Sequence, residues 1–501
     1  MTHHVLAIDQ GTTATTALVV SQSGKTVGRG STELLQHFPR PGWVSHDARE
    51  IWATVEGSVG EALRSAGIRG EDIAAIGIAN QRETSIVWDR ATRKAIGPAV
   101  VWQCGRTSGI CDELRGDESL TARVRARTGL IIDPYFSATK VAWILDSVTG
   151  ARQRAERGEL AFGTVESYLV SELTGGMVHV TDVANASRTM LMDLVRACWD
   201  EELCAAFRVP TPLLPRIVGN AEVVGRTRGV GFLPDGIAIA GMAGDQQAAL
   251  FGQACFERGD AKCTYGTGAF VLMNVGSEPR PSAHGLVSTV AWRIGPRTTY
   301  ALEGSAFVAG AAVQWLRDGL GVIRSAAEIE ALARSVASSD GVVFVPALAG
   351  LGAPHWDSDA RGTITGLTRA TTSAHLARAT LEGIAFEVHD LLEAMAKDAG
   401  RSIERLRLDG GAARNDVLLQ FQADISRISV ERPSDIESTA RGAALLAGLG
   451  AGVFEHQAHV AGAVGWDASF HPKMAEADRT AHIGRWRSAL ERTLTGLVDR
   501  P

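Results

Sequence analysis

Val5-Leu6-Ala7-Ile8 is an apolar run closed by Asp9, the pattern of a buried strand ending at a polar edge. Gln10-Gly11-Thr12-Thr13 predicts a tight turn and Thr15 to Val20 the returning strand. Ser21 to Gly24 then turn the chain into a third strand, Thr26 to Arg29. Asp47 is placed to cap a helix whose apolar positions are Ile51, Trp52, Val55, Val59 and Leu63, one face of a 3.6-residue period. Ile73 to Ala79 and Ser85 to Asp89 alternate as strands. Three strands in hairpin order, then helix, strand and helix, describe a mixed sheet flanked by helices.

A second copy of the opening pattern follows. Ala261 to Tyr265 predicts a strand, Gly266-Thr267-Gly268 its turn and Ala269 to Val275 the return. Two such hairpins half a chain apart imply two similar halves. Just before the second one, Ile237 to Ala240 runs through Gly241-Met242-Ala243-Gly244 to Asp245, and a helix begins at Gln246. Later elements are a helix carrying Gly310, Gln314 and Trp315, and a long helix with Leu381, Ile384, Val388, Leu391 and Met395 on one face. A strand through Leu406 and Leu408 ends at Asp409-Gly410-Gly411, and a helix starts near Asn415. The closing helices contain Ala440, Gly442, Ala443 and Ala444, small residues that permit close packing. No low-complexity linker separates the halves, so two lobes packed around a cleft are expected.

Composition narrows the partners. The 501 residues are 45% apolar and 21% charged, an ordinary globular mixture with room for two or three domains. A net charge of −6 argues against nucleic acid or an anionic membrane surface as the main partner, so a bound anion must be held by local groups. The six cysteines form no C-x-x-C pair and read as reduced thiols. The start lacks a signal-peptide pattern, and Gly442 to Phe454, the longest tempting uncharged run, is too short to span a bilayer. A cytoplasmic protein without a membrane span is expected.

The chemistry concentrates in the turns. A turn with Gly and two Thr offers backbone N–H groups and hydroxyls, which suit a phosphate but equally suit a polar hairpin tip. Gly24-Lys25-Thr26 resembles the end of a P-loop, yet Val19 stands where that motif needs its first glycine, which rejects it. The glycine pair after the strand at Leu408 lets a backbone lie against a flat ring, making a nucleotide-base candidate.

Read together, these segments resemble the FGGY carbohydrate kinases of the actin/hexokinase superfamily, in particular their glycerol-phosphorylating branch. The similarity runs over nearly the whole chain. It is carried by Asp9-Gln10-Gly11-Thr12-Thr13, Pro41-Gly42-Trp43-Val44, Asn80-Gln81-Arg82-Glu83-Thr84, Asp133-Pro134-Tyr135-Phe136-Ser137 and Asn185-Ala186-Ser187-Arg188-Thr189-Met190. It continues through Gly244-Asp245-Gln246-Gln247, Thr264-Tyr265-Gly266-Thr267-Gly268, Leu302-Glu303-Gly304-Ser305, Gly350-Leu351-Gly352-Ala353-Pro354 and Asp409-Gly410-Gly411.

The resemblance implies an α/β fold of two actin/hexokinase-like (ribonuclease H-like) domains, residues 1–252 and 253–501, with the active site in the cleft between them. It implies ATP-dependent phosphorylation of glycerol to sn-glycerol 3-phosphate, with ATP and Mg²⁺ as cofactors and a homodimer or homotetramer as the assembly. Asp245 corresponds to the catalytic base, which a poorly nucleophilic hydroxyl needs; on local sequence it is also a plausible helix cap. Arg82, Glu83, Tyr135, Asp245 and Gln246 correspond to the polar contacts of glycerol, and Trp102 and Phe270 to its aromatic wall. Without the resemblance, Arg82 and Glu83 would read as a surface pair and the two aromatic residues as core. Thr12, Thr13, Ala14, Gly266, Thr267, Gly310, Gln314, Gly411 and Asn415 correspond to the nucleotide contacts. Asp9 would hold Mg²⁺, through water.

Four departures accompany the match. The family follows the first turn with Ser-Ser-Arg, whereas this chain has Ala14-Thr15-Thr16, so a cation near the transferring phosphate is missing. Gly105 replaces the first arginine of Cys-Arg-Arg-Thr, Val165-Glu166-Ser167-Tyr168 replaces Val-Asp-Thr-Trp, and Ser45 replaces a glutamate. The chain has no His from Val180 to Ala283 and no recognisable Gly/Arg-rich loop in Arg226–Ile237. Control by histidine phosphorylation or by fructose bisphosphate is therefore not expected. The rival readings are a kinase for erythritol, dihydroxyacetone or xylulose, and a non-kinase ATP switch of the actin type.

Overall fold

The computed structural model describes residues 4–497. The first sheet is built on β1 (His4–Gln10), β2 (Ala14–Val20) and β3 (Thr26–Glu33), covered by α1 (Ala48–Ala66). β4 (Ile73–Asn80), β5 (Gly225–Arg226) and β6 (Ala238–Gly244) complete it in the order β5-β6-β4-β1-β2-β3, and β6 leads directly into α2 (Asp245–Gly252). β1 pairs antiparallel with β2 and parallel with β4, so the carboxyl ends of β1, β4 and β6 lie side by side at Gln10, Asn80 and Gly244. That edge is where an open sheet with parallel strands presents its ligand site.

The second sheet repeats the plan. β7 (Ala261–Tyr265), β8 (Ala269–Gly276), β9 (Val287–Ile294) and β10 (Arg297–Ala306) precede a stretch that includes the helices α3 (Gly310–Asp318) and α4 (Ser373–Ala399). β11 (Arg405–Asp409), α5 (Asp416–Ser426), β12 (Ser429–Pro433), α6 (Ser438–Gly450) and β13 (Trp466–Phe470) follow. The order β9-β10-β8-β7-β11-β12-β13 again places a hairpin beside parallel strands. Both mixed sheets expected from the sequence are therefore present. Two details differ. The third strand extends to Glu33 because Ala14 finds a partner there. The stretch Ile86–Asp89 leaves the main sheet and pairs with Leu160–Gly163.

The lobes are joined by α6. Although it follows β12 in sequence, it packs on β1, β4, β6 and α2 of the first lobe, in a core containing Val5, Ala75, Ala243, Leu250, Ala443 and Ala447. This close approach depends on missing side chains. A Cβ on Gly77 would lie 2.1 Å from the Ala443 carbonyl oxygen, and one on Gly442 would lie 1.8 Å from that of Ala248. The small residues at 440–444 thus dock a helix of the second half against the strand and helix that present Asp245.

Candidate active site

The opening turn is closed by the Gly11 N–H donating to the Ala14 carbonyl (2.9 Å), and Asp9 faces Thr16 across the hairpin. Thr13 is exposed at the tip, and Thr12 accepts from the Trp102 indole N–H (2.8 Å). The second turn, with Gly266 and Thr267 exposed, is held by α3. The Gly310 N–H donates to the Gly266 carbonyl (2.9 Å) and the Ala309 and Ala311 N–H groups to the Thr267 carbonyl (2.8 and 3.1 Å). Gly310 must be glycine there, since a Cβ would lie 2.6 Å from the Gly266 oxygen. Gln314 lies one turn further along α3 and is exposed.

Beyond β11 the backbone passes through Gly410 at φ +85°, where a Cβ would press on Tyr265 at 2.5 Å, and Gly411 is exposed. Asn415 caps α5 by accepting from the Leu418 N–H (3.0 Å), which leaves its side-chain N–H₂ uncommitted. A groove of about 1110 Å³ lies on this side between the lobes, lined among others by Arg29, Arg414, Asp435 and Glu437. Thr26–Asp435 (2.8 Å) and Arg29–Glu437 (3.0 Å) contacts cross it.

Between the two hairpins lies a buried charge cluster. Arg82 donates from both Nη atoms to Glu303 (2.5 and 2.8 Å), from Nη2 to the Tyr135 hydroxyl (3.2 Å), and sits with Nε 3.3 Å from Asp245 Oδ1. Arg188 donates to Glu83 (2.7 Å) and to Glu303 (3.0 Å). The four charged side chains are at most 2% exposed, whereas Asp245 is 30% exposed. A set of two guanidiniums and two carboxylates is neutral as a whole, the condition for tolerating burial. Glu83 adopts a left-handed backbone (φ +55°). It is held there because its carbonyl accepts from Ser85, Ser137 and Lys140 (3.1 to 3.2 Å). Lys140 also donates to the Tyr135 carbonyl (2.6 Å), and burial lowers its ammonium to about 8.

Trp102 packs edge-on against Tyr135 (5.7 Å between centroids) and Phe270 (6.1 Å). Hydrogen-bonding groups and aromatic edges thus meet beside Asp245. Asp245 itself opens α2, with Oδ1 accepting from the Gln246 N–H (2.7 Å). Gln246 is 6% exposed, and its Oε1 accepts from Lys262.

A cation between the turns is chemically reasonable. Burial, and then the charges of Asp245, Glu437 and Asp409, push the Asp9 carboxyl well above its usual range, and among the described residues Asp409 Oδ1 is buried with no hydrogen-bond partner. Among the described residues no group of three or more acids, histidines or cysteines could hold an ion alone. An ion here would take most of its ligands from phosphate and water, as Mg²⁺ does.

The four departures fall into three places. Among the described residues the Thr16 side chain hydrogen-bonds only with Ser31 (3.2 Å), beside Asp9. Ser45 accepts from Arg106 (2.5 Å), and Arg106 stacks on Trp43 and Trp143, so Ser45 and the residue after Gly105 share one cluster. Glu166 is buried in a helix over residues 165–173, where Thr164 and Thr181 each donate to it at 2.7 Å. Glu303, Arg188 and Lys140 carry no role in the sequence reading, although the first two lie in segments that support the resemblance. Their partners are up to 221 residues away, and no local pattern announces such a pairing.

Residues 4–252 match the N-terminal domain of the FGGY family of carbohydrate kinases, and residues 261–451 its C-terminal domain. A protein named glycerol kinase from Myxococcus xanthus is 56% identical over 98% of this chain and 99% of its own length. One of the same name from Deinococcus radiodurans is 54% identical over 98% and 97%. The crystal structure of Plasmodium falciparum glycerol kinase with ADP superposes with a TM-score of 0.91, at 35% identity over 98% of each chain.

Proposed function

The chain belongs to the FGGY carbohydrate kinases, and from that premise we propose that it transfers the γ-phosphoryl group of ATP to glycerol, giving sn-glycerol 3-phosphate and ADP. The observation that carries this is the partly exposed carboxylate of Asp245, set beside Arg82 between the two glycine- and threonine-bearing turns. As the glycerol oxygen bonds to the γ-phosphorus and the bond to the ADP oxygen breaks, the hydroxyl proton passes to Asp245. Arg82 and Glu83, kept in register by Glu303 and Arg188, hold the other hydroxyls, with Tyr135 and Gln246 as further polar partners. Trp102 and Phe270 form a wall for the carbon edge.

Thr12, Thr13, Ala14, Gly266 and Thr267 line the phosphates, Gly310 and Gln314 extend that side, and Gly411 and Asn415 take the adenine end. Asp9 would hold Mg²⁺ through water, and the ion would supply positive charge to the transferring phosphate. In this reading residues 1–252 supply the acceptor site and base, and residues 253–501 most of the nucleotide site. Among the described residues no helix is long and apolar enough to cross a membrane, which suits a cytoplasmic enzyme; a homodimer or homotetramer is the proposed assembly.

ADP release measured over a panel of glycerol, erythritol, dihydroxyacetone and xylulose tests the reading. Glycerol should give the highest kcat/KM. ATP hydrolysis indifferent to every polyol would overturn the kinase, and preference for another acceptor would overturn the substrate.

A further inference from the structure

Lys262 is a buried cation in the cleft that the reaction as proposed leaves without a task. It lies on the second lobe's central strand β7, where Ala261 and Cys263 point into that lobe's core and Lys262 is itself fully buried. An ammonium taken out of water costs several kcal/mol unless it is well partnered. Its hydrogen-bond partners are neutral oxygens: it donates to Gln246 Oε1 and to Thr264 Oγ1 (2.8 Å). Burial lowers its pKa, while the charges of Asp409 and Asp245 oppose that shift.

The bond to Gln246 has a directional consequence. A carboxamide has one accepting and one donating end, and an ammonium can only donate. With Oε1 held by Lys262, Gln246 can present only its N–H₂ to a ligand. We propose that Lys262 is a positioning residue that locks the Gln246 carboxamide with its N–H₂ toward the acceptor, so that the site offers a donor to one hydroxyl oxygen of the polyol. Without that ammonium the amide can flip, and half of its orientations present an acceptor at this point. The inference rests on the reading of Gln246 as an acceptor contact.

A double-mutant cycle on the full-length enzyme with Lys262→Met and Gln246→Ala separates this role from a structural one. Lys262→Met should raise KM for glycerol about tenfold while KM for ATP stays within twofold. Gln246→Ala should do the same, and the double variant should be no worse than the poorer single one. Lys262→Gln keeps an N–H donor on a shorter stem and should recover part of the loss, which keeps the test available if the methionine variant does not fold. Multiplying effects in the double variant, or a fall in kcat with glycerol KM unchanged, would overturn the role of Lys262. An unchanged glycerol KM in Gln246→Ala alone would overturn the assignment of Gln246 itself, and with it this inference.

Discussion

Replacing Glu303 by glutamine removes one charge from the buried cluster with almost no change in shape, leaving Arg82 and Arg188 to share Glu83. Burial alone would raise the Glu303 carboxyl, but Arg188 and Arg82 outweigh it and bring it to about 2, against an ordinary 4.5. That depression corresponds to about 3 kcal/mol at roughly 1.4 kcal/mol per unit. It is also the scale expected for breaking a buried pair, about 3–5 kcal/mol. For a lowered carboxyl the stabilisation is present above pH 4.5 and is lost as pH falls through about 2. Glu303→Gln should therefore lower the urea midpoint markedly at pH 7, and the gap to the parent should narrow as pH falls below 4.5. Catalysis should suffer as well. With one of its two accepting oxygens on residue 303 replaced by an N–H₂ that cannot accept, the Arg82 fork is drawn toward Asp245, whose Oδ1 already lies 3.3 Å from Nε. A fall in glycerol kcat/KM of about a hundredfold, roughly 2.7 kcal/mol of transition-state stabilisation, is expected. A variant with the parent's urea midpoint at pH 7 and kcat/KM within threefold would refute the reasoning.

Three further outcomes follow from other parts of the molecule. Thr16→Arg should raise kcat many-fold with glycerol KM unchanged, because Thr16 lies opposite Asp9 with only Ser31 as partner; initial-rate kinetics decide it, and an unchanged kcat sinks the idea. Burial and then the charge of Asp390 push Glu387 up to about 8. Its stabilisation is complete below pH 4.5 and lost as pH rises to 8, so Glu387→Gln should gain about 1 kcal/mol or more over the parent between pH 5.5 and 8.5 in thermal melts. Gly442→Ala puts a methyl 1.8 Å from the Ala248 oxygen. It should cost about 1–3 kcal/mol by overpacking and lower kcat by disturbing the helix that Asp245 opens, which melting and turnover measurements would show.

Much of this was legible in the chain because the informative contacts are local. The turn at Gly11–Thr13, its counterpart at Gly266–Gly268 and the strand-to-helix step at Asp245 each declare themselves within about ten residues. Arg82 and Glu83 were not legible as a buried pair from spacing alone, and only resemblance moved them from surface to site. Their burial depends on Arg188 and Glu303, more than a hundred residues distant in sequence. The docking of α6 shows the same limit. Small residues at 440–444 predict close packing, but the surface they approach, Gly77 and Ala248, belongs to the other half of the chain. Gln246 shows a third case, where the residue is readable but the partner of its amide oxygen, Lys262, lies sixteen residues on in the other half of the chain.

In the proposed reaction Asp245 takes the proton of an acceptor hydroxyl during phosphoryl transfer. Asp245→Asn tests it most directly, with ADP binding followed by calorimetry and glycerol-dependent ADP release followed on the same preparation. ADP affinity should stay within about threefold of the parent while turnover falls by about 10²–10⁴. Turnover within tenfold of the parent, with binding intact, would contradict the account.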